Sequence, residues 1–289
     1  MAPHHRVTFV MACASLLLPT PARSQAEDTV LAAARSVKRA YGEHPGLGDP
    51  TVHRIADGVY AITDLFHSRG PLAGVSAGIV FRENAVVFID CGMSIVSSQF
   101  LWEIASARMT GNEDLYLILT HHHSDHVFGM RVFADRGVTV IAHEIAAAEL
   151  SDDDGYYKAF ITEQSGWTRE RGDSILGDVV LMTPTQVIGK DSVLQLDGAA
   201  LHLLVTPGHV PDELAVYDPT SKTLFAGDAI YESRTPATRF GGPAEWLTWI
   251  RQLERLQQLE IGTVVPGHGK PSSKDLIDRN ISYLQTLVP

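Results

Sequence analysis

LYLILTHHHSDH, residues 115–126, is an apolar run that ends in four candidate metal ligands, His121, His123, Asp125 and His126. Neutral imidazole and carboxylate together suit zinc and similar divalent ions, and two pairs this close cannot all address one ion with unstrained geometry. The spacing points to two neighbouring metals. A histidine run can also be a solvated loop, and the chain carries 13 histidines, so the rest of the sequence has to decide. Three more candidates sit in matching surroundings: VTPGH ends at His209, LFAGD at Asp228 and VVPGH at His268. A short apolar run reads as a buried strand and the Gly or Pro after it as a sharp turn, so each ligand falls where a strand ends. Strands delivering polar side chains from one edge can converge on a point. His121, His123 and His209 are expected at one metal, Asp125, His126 and His268 at the other, with Asp228 bridging.

Residues 121–126 match the H-x-H-x-D-H motif at every required position, and with the later His, Asp and His the chain resembles the metallo-β-lactamase fold superfamily over roughly residues 52–270. Asp90, in VVFIDCG, matches that family's early Asp behind the metal site. The resemblance implies an α/β fold, an αββα sandwich of two mixed β-sheets flanked by helices, with the metals at the edge between the sheets. It implies two zinc ions per chain, iron or manganese being the alternatives. Asp at position 228 resembles glyoxalase II, lactonases and phosphoesterases of the superfamily, whereas zinc β-lactamases are expected to carry Cys or Ser there. The block TPGHVPDELAVYDP also resembles periplasmic zinc metallohydrolases associated with quinoprotein dehydrogenase systems.

A zinc-bound water loses a proton near neutral pH, and a second metal can polarise a carbonyl, so the expected reaction is hydrolysis of an ester, thioester or lactone by a metal-bound hydroxide. Asp125 is placed to orient the hydroxide. Tyr231, three residues after Asp228, is a candidate donor to the developing oxyanion. No Ser-His-Asp motif is recognisable. β-Lactam hydrolysis is the runner-up, and an iron-dependent oxidoreductase on the same cage is a third reading. A non-catalytic binding protein is disfavoured because no ligand position is empty.

The chain of 289 residues is 45% hydrophobic, enough for one large α/β domain with a substantial core. A net charge of −11 argues against a nucleic-acid groove and against adsorption to anionic lipid. The expected partner is a small-molecule substrate; oligomeric state is not legible. Residues 1–26 carry His4, His5 and Arg6, an apolar stretch from Val7 to Leu18 and a small-residue ending, the layout of a cleavable signal peptide for periplasmic or secreted export. The stretch is short of the roughly 20 residues that span a bilayer, so no stable membrane insertion is expected after cleavage. Losing Arg6 and Arg23 from a net charge of −11 leaves −13. Cys91 then remains as the one thiol and reads as a small buried residue.

Residues 27–50 read as a short amphipathic helix and a Gly/Pro-rich linker, and 51–289 as the catalytic domain. Strands are expected near 52–63, 76–90, 115–119, 192–197, 200–206, 213–218, 223–226 and 262–265. A strand and a helix are expected between the ligand loop and about 150, with further helices near 94–108, at 244–259 and from 272. Residues 151–185 break the pattern as one or two exposed helices, a candidate lid whose aromatic residues are Tyr156, Tyr157, Phe160 and Trp167. Among the other histidines, His122 is expected to point away from the metals, His143 to cap a helix or lie on the surface, and His202 to lie on an exposed strand face. His44 and His53 carry no signal. Phe66 and His67 lie in a loop that overhangs the site in the family, which makes them candidates for substrate contact.

Overall fold

The computed structural model describes residues 28–151, 155–232 and 234–288. The leader expected over 1–26 lies outside them. Asp28 caps α1 (Thr29–Tyr41) by accepting from the backbone of Val30 and Leu31, and α1 buries Val30 and Ala34 against the main core. The lead-in is therefore part of the packed body. The linker expected up to residue 50 ends earlier, because Leu47 is wholly buried and β1 starts at Gly48.

The first sheet runs β1 (Gly48–Ala56), β2 (Val59–Leu65), β3 (Val75–Arg82), β4 (Ala85–Ile89), β5 (Asp114–Ile118), β6 (Thr139–His143), β7 (Gln186–Ile188), in that spatial order. The neighbours are antiparallel as far as β4 and parallel from β4 to β7. The single strands expected at 52–63 and 76–90 are each a hairpin. In the first, Asp57-Gly58 makes the turn, with Gly58 at φ +69°, a two-residue turn signal inside an otherwise continuous β pattern. The second sheet has the order β12 (Thr263–Val265), β11 (Thr223–Phe225), β10 (Leu214–Asp218), β9 (Ala199–Val205), β8 (Ser192–Leu196), antiparallel except for the β11–β12 pair.

The sheets pack face to face through Val80, Val87 and Ile118 on one side and Leu203, Val216 and Phe225 on the other. On the outer face of the first sheet lie α1, α2 (Ile95–Ser106), α4 (Arg131–Ala134) and α5 (Glu144–Ser151), through Phe100, Ile104, Phe133 and Ala146; α3 (Ser124–Val127) carries part of the site. On the second lie α8 (Pro243–Leu256) and α9 (Asp275–Gln285), through Trp249, Leu253 and Ile277. Two mixed sheets flanked by helices make the expected αββα sandwich. Between β6 and β7, α6 (Tyr156–Gln164) and α7 (Arg169–Leu176) form the expected excursion. No helix of the described residues is long and apolar enough to cross a membrane.

Candidate metal centre

Each expected ligand lies at a strand end. His121 comes three residues after the end of β5, next to Thr120, whose backbone and hydroxyl both donate to Asp90. His123 caps α3, and Asp125 and His126 fall in its single turn. His209 follows β9, Asp228 sits in the 3-10 turn Gly227–Ala229 after β11, and His268 follows β12. The first sheet thus contributes four of the seven side chains and the second three, meeting at the sandwich edge.

They form two groups whose ligand atoms lie within 4.8 Å of one another: His121, His123, His209 and Asp228, and Asp125, His126 and His268. In the first, His123 Nδ1 is 3.0 Å from His121 Nε2 and 3.1 Å from His209 Nε2. In the second, His268 Nε2 is 3.2 Å from Asp125 Oδ2. Asp228 joins them: Oδ1 is 3.3 Å from both His126 Nε2 and His268 Nε2, and Oδ2 is 3.5 Å from His209 Nε2.

The surrounding hydrogen bonds fix the imidazoles. His209 Nδ1 donates to the Ala237 carbonyl at 3.1 Å, and His268 Nδ1 to the carbonyls of Ala73 and Gly74 at 3.0 and 2.9 Å. With the proton on Nδ1, Nε2 keeps its lone pair towards the cluster. His126 Nδ1 is held at 2.8 Å by Asp90 Oδ2. His126 Nε2, His268 Nε2 and Asp228 Oδ1 are buried with no hydrogen-bond partner, an arrangement that a divalent cation satisfies.

Charge follows the same geometry. Burial opposes ionisation of Asp228, but His268 and His126 outweigh it and hold its pKa well below the usual carboxylate range. Burial lowers the His268 imidazole, while Asp228 and Asp125 raise it to about 9. His209, where burial wins, falls to about 4. A cation between these carboxylates competes with protons for the same positions.

Other expectations are corrected in part. The Tyr231 hydroxyl donates to Asp228 Oδ2, and its ring stacks on His268 at 5.5 Å, so the proton assigned to an oxyanion is committed to Asp228. His67 reaches the site, with Nε2 3.3 Å from Asp125 Oδ2. Phe66 turns away and stacks on Trp167 at 6.0 Å. His143 is buried, not on the surface, and its Nδ1 accepts from the Ile145 backbone at the start of α5, a capping contact. His202 is half-buried beside Tyr217. His122 points away from the cluster onto Asp212, and Cys91 is buried with its thiol on the His126 carbonyl.

Asp212 and Glu213, both fully buried, were not singled out in the sequence. Glu213 Oε1 accepts from the Asp228 backbone at 2.9 Å and lies 3.6 Å from His121 Nδ1; burial, then Asp228, pushes its carboxyl well above the usual range. The available signal was a pair of acids opening an apolar strand, PDELAV.

The cluster floors a cavity of about 740 Å³. From the excursion, Tyr157, Phe160, Ile161 and Gln164 of α6 line it; Trp167 does not, and the Tyr156 side chain lies outside the described residues. Replacing Asp90 with Asn keeps shape but removes the charge orienting His126, and is expected to weaken metal binding about 10–100-fold. Competition against a chromogenic chelator measures this; unchanged affinity would remove Asp90 from the support of the site.

A sandwich whose edge collects two His/carboxylate groups beneath a substrate-sized cavity defines a hydrolase-type, metal-binding enzyme class. The chain belongs to the metallo-β-lactamase superfamily, whose family model matches residues 70–268. It is similar to human acyl-coenzyme A thioesterase MBLAC2, at 25% identity over 239 residues, covering 74% of this chain and 79% of the relative. It is also similar to a hydroxyacylglutathione hydrolase from Polaromonas sp., at 27% identity over 184 residues, covering 62% and 56%. Among solved structures, a metallo-β-lactamase from Pontibacter korlensis superposes with a TM-score of 0.61 at 23% identity, covering 82% of this chain and 99% of that one, a likeness of fold.

Proposed function

We propose that the protein is a dinuclear zinc hydrolase acting on a thioester, ester or lactone. The observation carrying this reading is Asp228, whose two oxygens face the two ligand groups within 3.3 to 3.5 Å. Relatives named as an acyl-coenzyme A thioesterase and a hydroxyacylglutathione hydrolase support thioester chemistry. Two zinc ions held there would supply a water of lowered pKa and a Lewis acid for the carbonyl. His121, His123 and His209 would hold one ion, and Asp125, His126 and His268 the other. Asp125, whose Oδ2 faces His67 and His268, would orient a metal-bound water, while Tyr231 holds the Asp228 carboxylate and Glu213 holds the Asp228 backbone. Water adds OH to the acyl carbon and H to the departing thiol or alcohol, leaving a carboxylic acid. We also propose export, carried by residues 1–26; the N-terminal mass of protein from the periplasmic fraction tests it.

Purified protein is expected to hold close to two zinc ions and to hydrolyse at least one of a panel of thioesters, esters and lactones, with loss on chelation and recovery on zinc addition. Two ions without turnover across the panel, β-lactams included, would count against the assignment.

A further inference from the structure

Three arginines line the cavity that holds the metal cluster: Arg69, Arg234 and Arg239. Among the described residues, the ion pairs of Arg54, Arg82, Arg108, Arg131, Arg169 and Arg255 involve none of the three. Each stands one side chain away from a metal-ligand candidate. The Arg69 backbone donates to His67, whose other ring nitrogen faces Asp125. The Arg234 guanidinium lies over the Tyr231 ring at 5.3 Å, and Tyr231 holds Asp228. Arg239 lies over Phe240 at 4.1 Å, and Phe240 packs on His123 at 4.4 Å. They also feel one another: burial, then Arg69, and more weakly Arg234, lower the Arg239 pKa.

Positive charge that makes no ion pair among the described residues, on a protein of net charge −11, attracts anions to one place, and guanidinium groups pair best with phosphate and carboxylate. The same cavity is also lined by Tyr157, Phe160 and Ile161, a surface for an apolar chain. On these grounds we infer that the substrate is an amphipathic thioester or ester with an anionic end, phosphate or carboxylate, held by Arg69, Arg234 and Arg239 while its scissile group lies on the metals. This rests on the hydrolase reading above. The arginines bind and position; they touch no reacting atom.

Three butanoyl thioesters test it: those of coenzyme A (phosphates), glutathione (carboxylates) and N-acetylcysteamine (uncharged). With zinc-loaded protein, kcat/KM for at least one anionic thioester should exceed that for the uncharged one by about tenfold or more, carried mainly in KM and shrinking as salt rises. Which anionic thioester leads identifies phosphate or carboxylate. Substituting Arg69→Gln, Arg234→Gln and Arg239→Gln together should reduce the ratio towards one, and the matching Lys variant should retain much of it. An equal ratio in the wild type, or one unmoved by the Gln variant, overturns the inference and leaves the hydrolase standing. Absence of turnover with all three counts against thioester chemistry, the ester and lactone panel above decides the hydrolase reading, and the inference is then read from calorimetric binding of the three free thiols, which share the same sulfur. Tighter binding of an anionic thiol, lost in the Gln variant, sustains it; equal binding overturns it.

Discussion

Asp228→Ala is expected to lower metal content from two ions towards one and to reduce kcat/KM by about three orders of magnitude, since two correctly placed ions contribute several kcal/mol to such transition states. The side chain touches both ligand groups, through Oδ1 to His126 and His268 and through Oδ2 to His209. Alanine removes the sole atom set common to them and leaves the Tyr231 hydroxyl without its acceptor in a buried position. Asp228→Asn, which keeps the shape and loses the charge, should fall between wild type and alanine. Elemental analysis beside steady-state kinetics reads both effects. Full dinuclear occupancy in the alanine variant would sink the bridging role.

Gly267→Ala should come next in severity. A Cβ there would stand 2.1 Å from Asp228 Oδ1 and 2.7 Å from the Gly227 carbonyl atoms, so the constraint is space and not backbone conformation. The neighbours cannot yield easily. The Gly267 N–H donates to the Gly227 and Ile230 carbonyls, and its own carbonyl accepts from the Ser76 N–H across the sheets. Overpacking of this kind costs about 1–3 kcal/mol, which lowers the unfolding midpoint by about 5 °C in a domain of this size. Metal content should fall with it if Asp228, the group displaced, bridges the two ions as proposed. Wild-type stability with two bound ions would show that the turn has room the geometry denies it.

The cage was legible because its chemistry is local. HHHSDH carries four candidate ligands in six positions, and His209, Asp228 and His268 each follow an apolar run and a turn residue. The supporting residues were not, because theirs is tertiary. Glu213 looks like the polar start of β10 until the fold sets it under Asp228, 15 positions later. The arginines lining the cavity are ordinary loop residues in sequence, brought together from positions 69 and 234–239. Tyr231 was found by its spacing from Asp228, but spacing says nothing of where a hydroxyl proton points. Strand boundaries failed at the tight hairpins: β3 and β4 are apolar almost throughout, and the two polar residues Glu83 and Asn84 were the signal of the turn between them.

The seam between the two sheets has a thermodynamic meaning as well. Four candidate ligands hang from the first sheet and three from the second, so neither sheet alone presents a complete set. Cation uptake and the docking of the sheets are then linked equilibria, and an ion at a hundredfold excess over its Kd adds about 2.7 kcal/mol to the folded state. The free metal concentration around the protein sets how firmly its two halves stay shut.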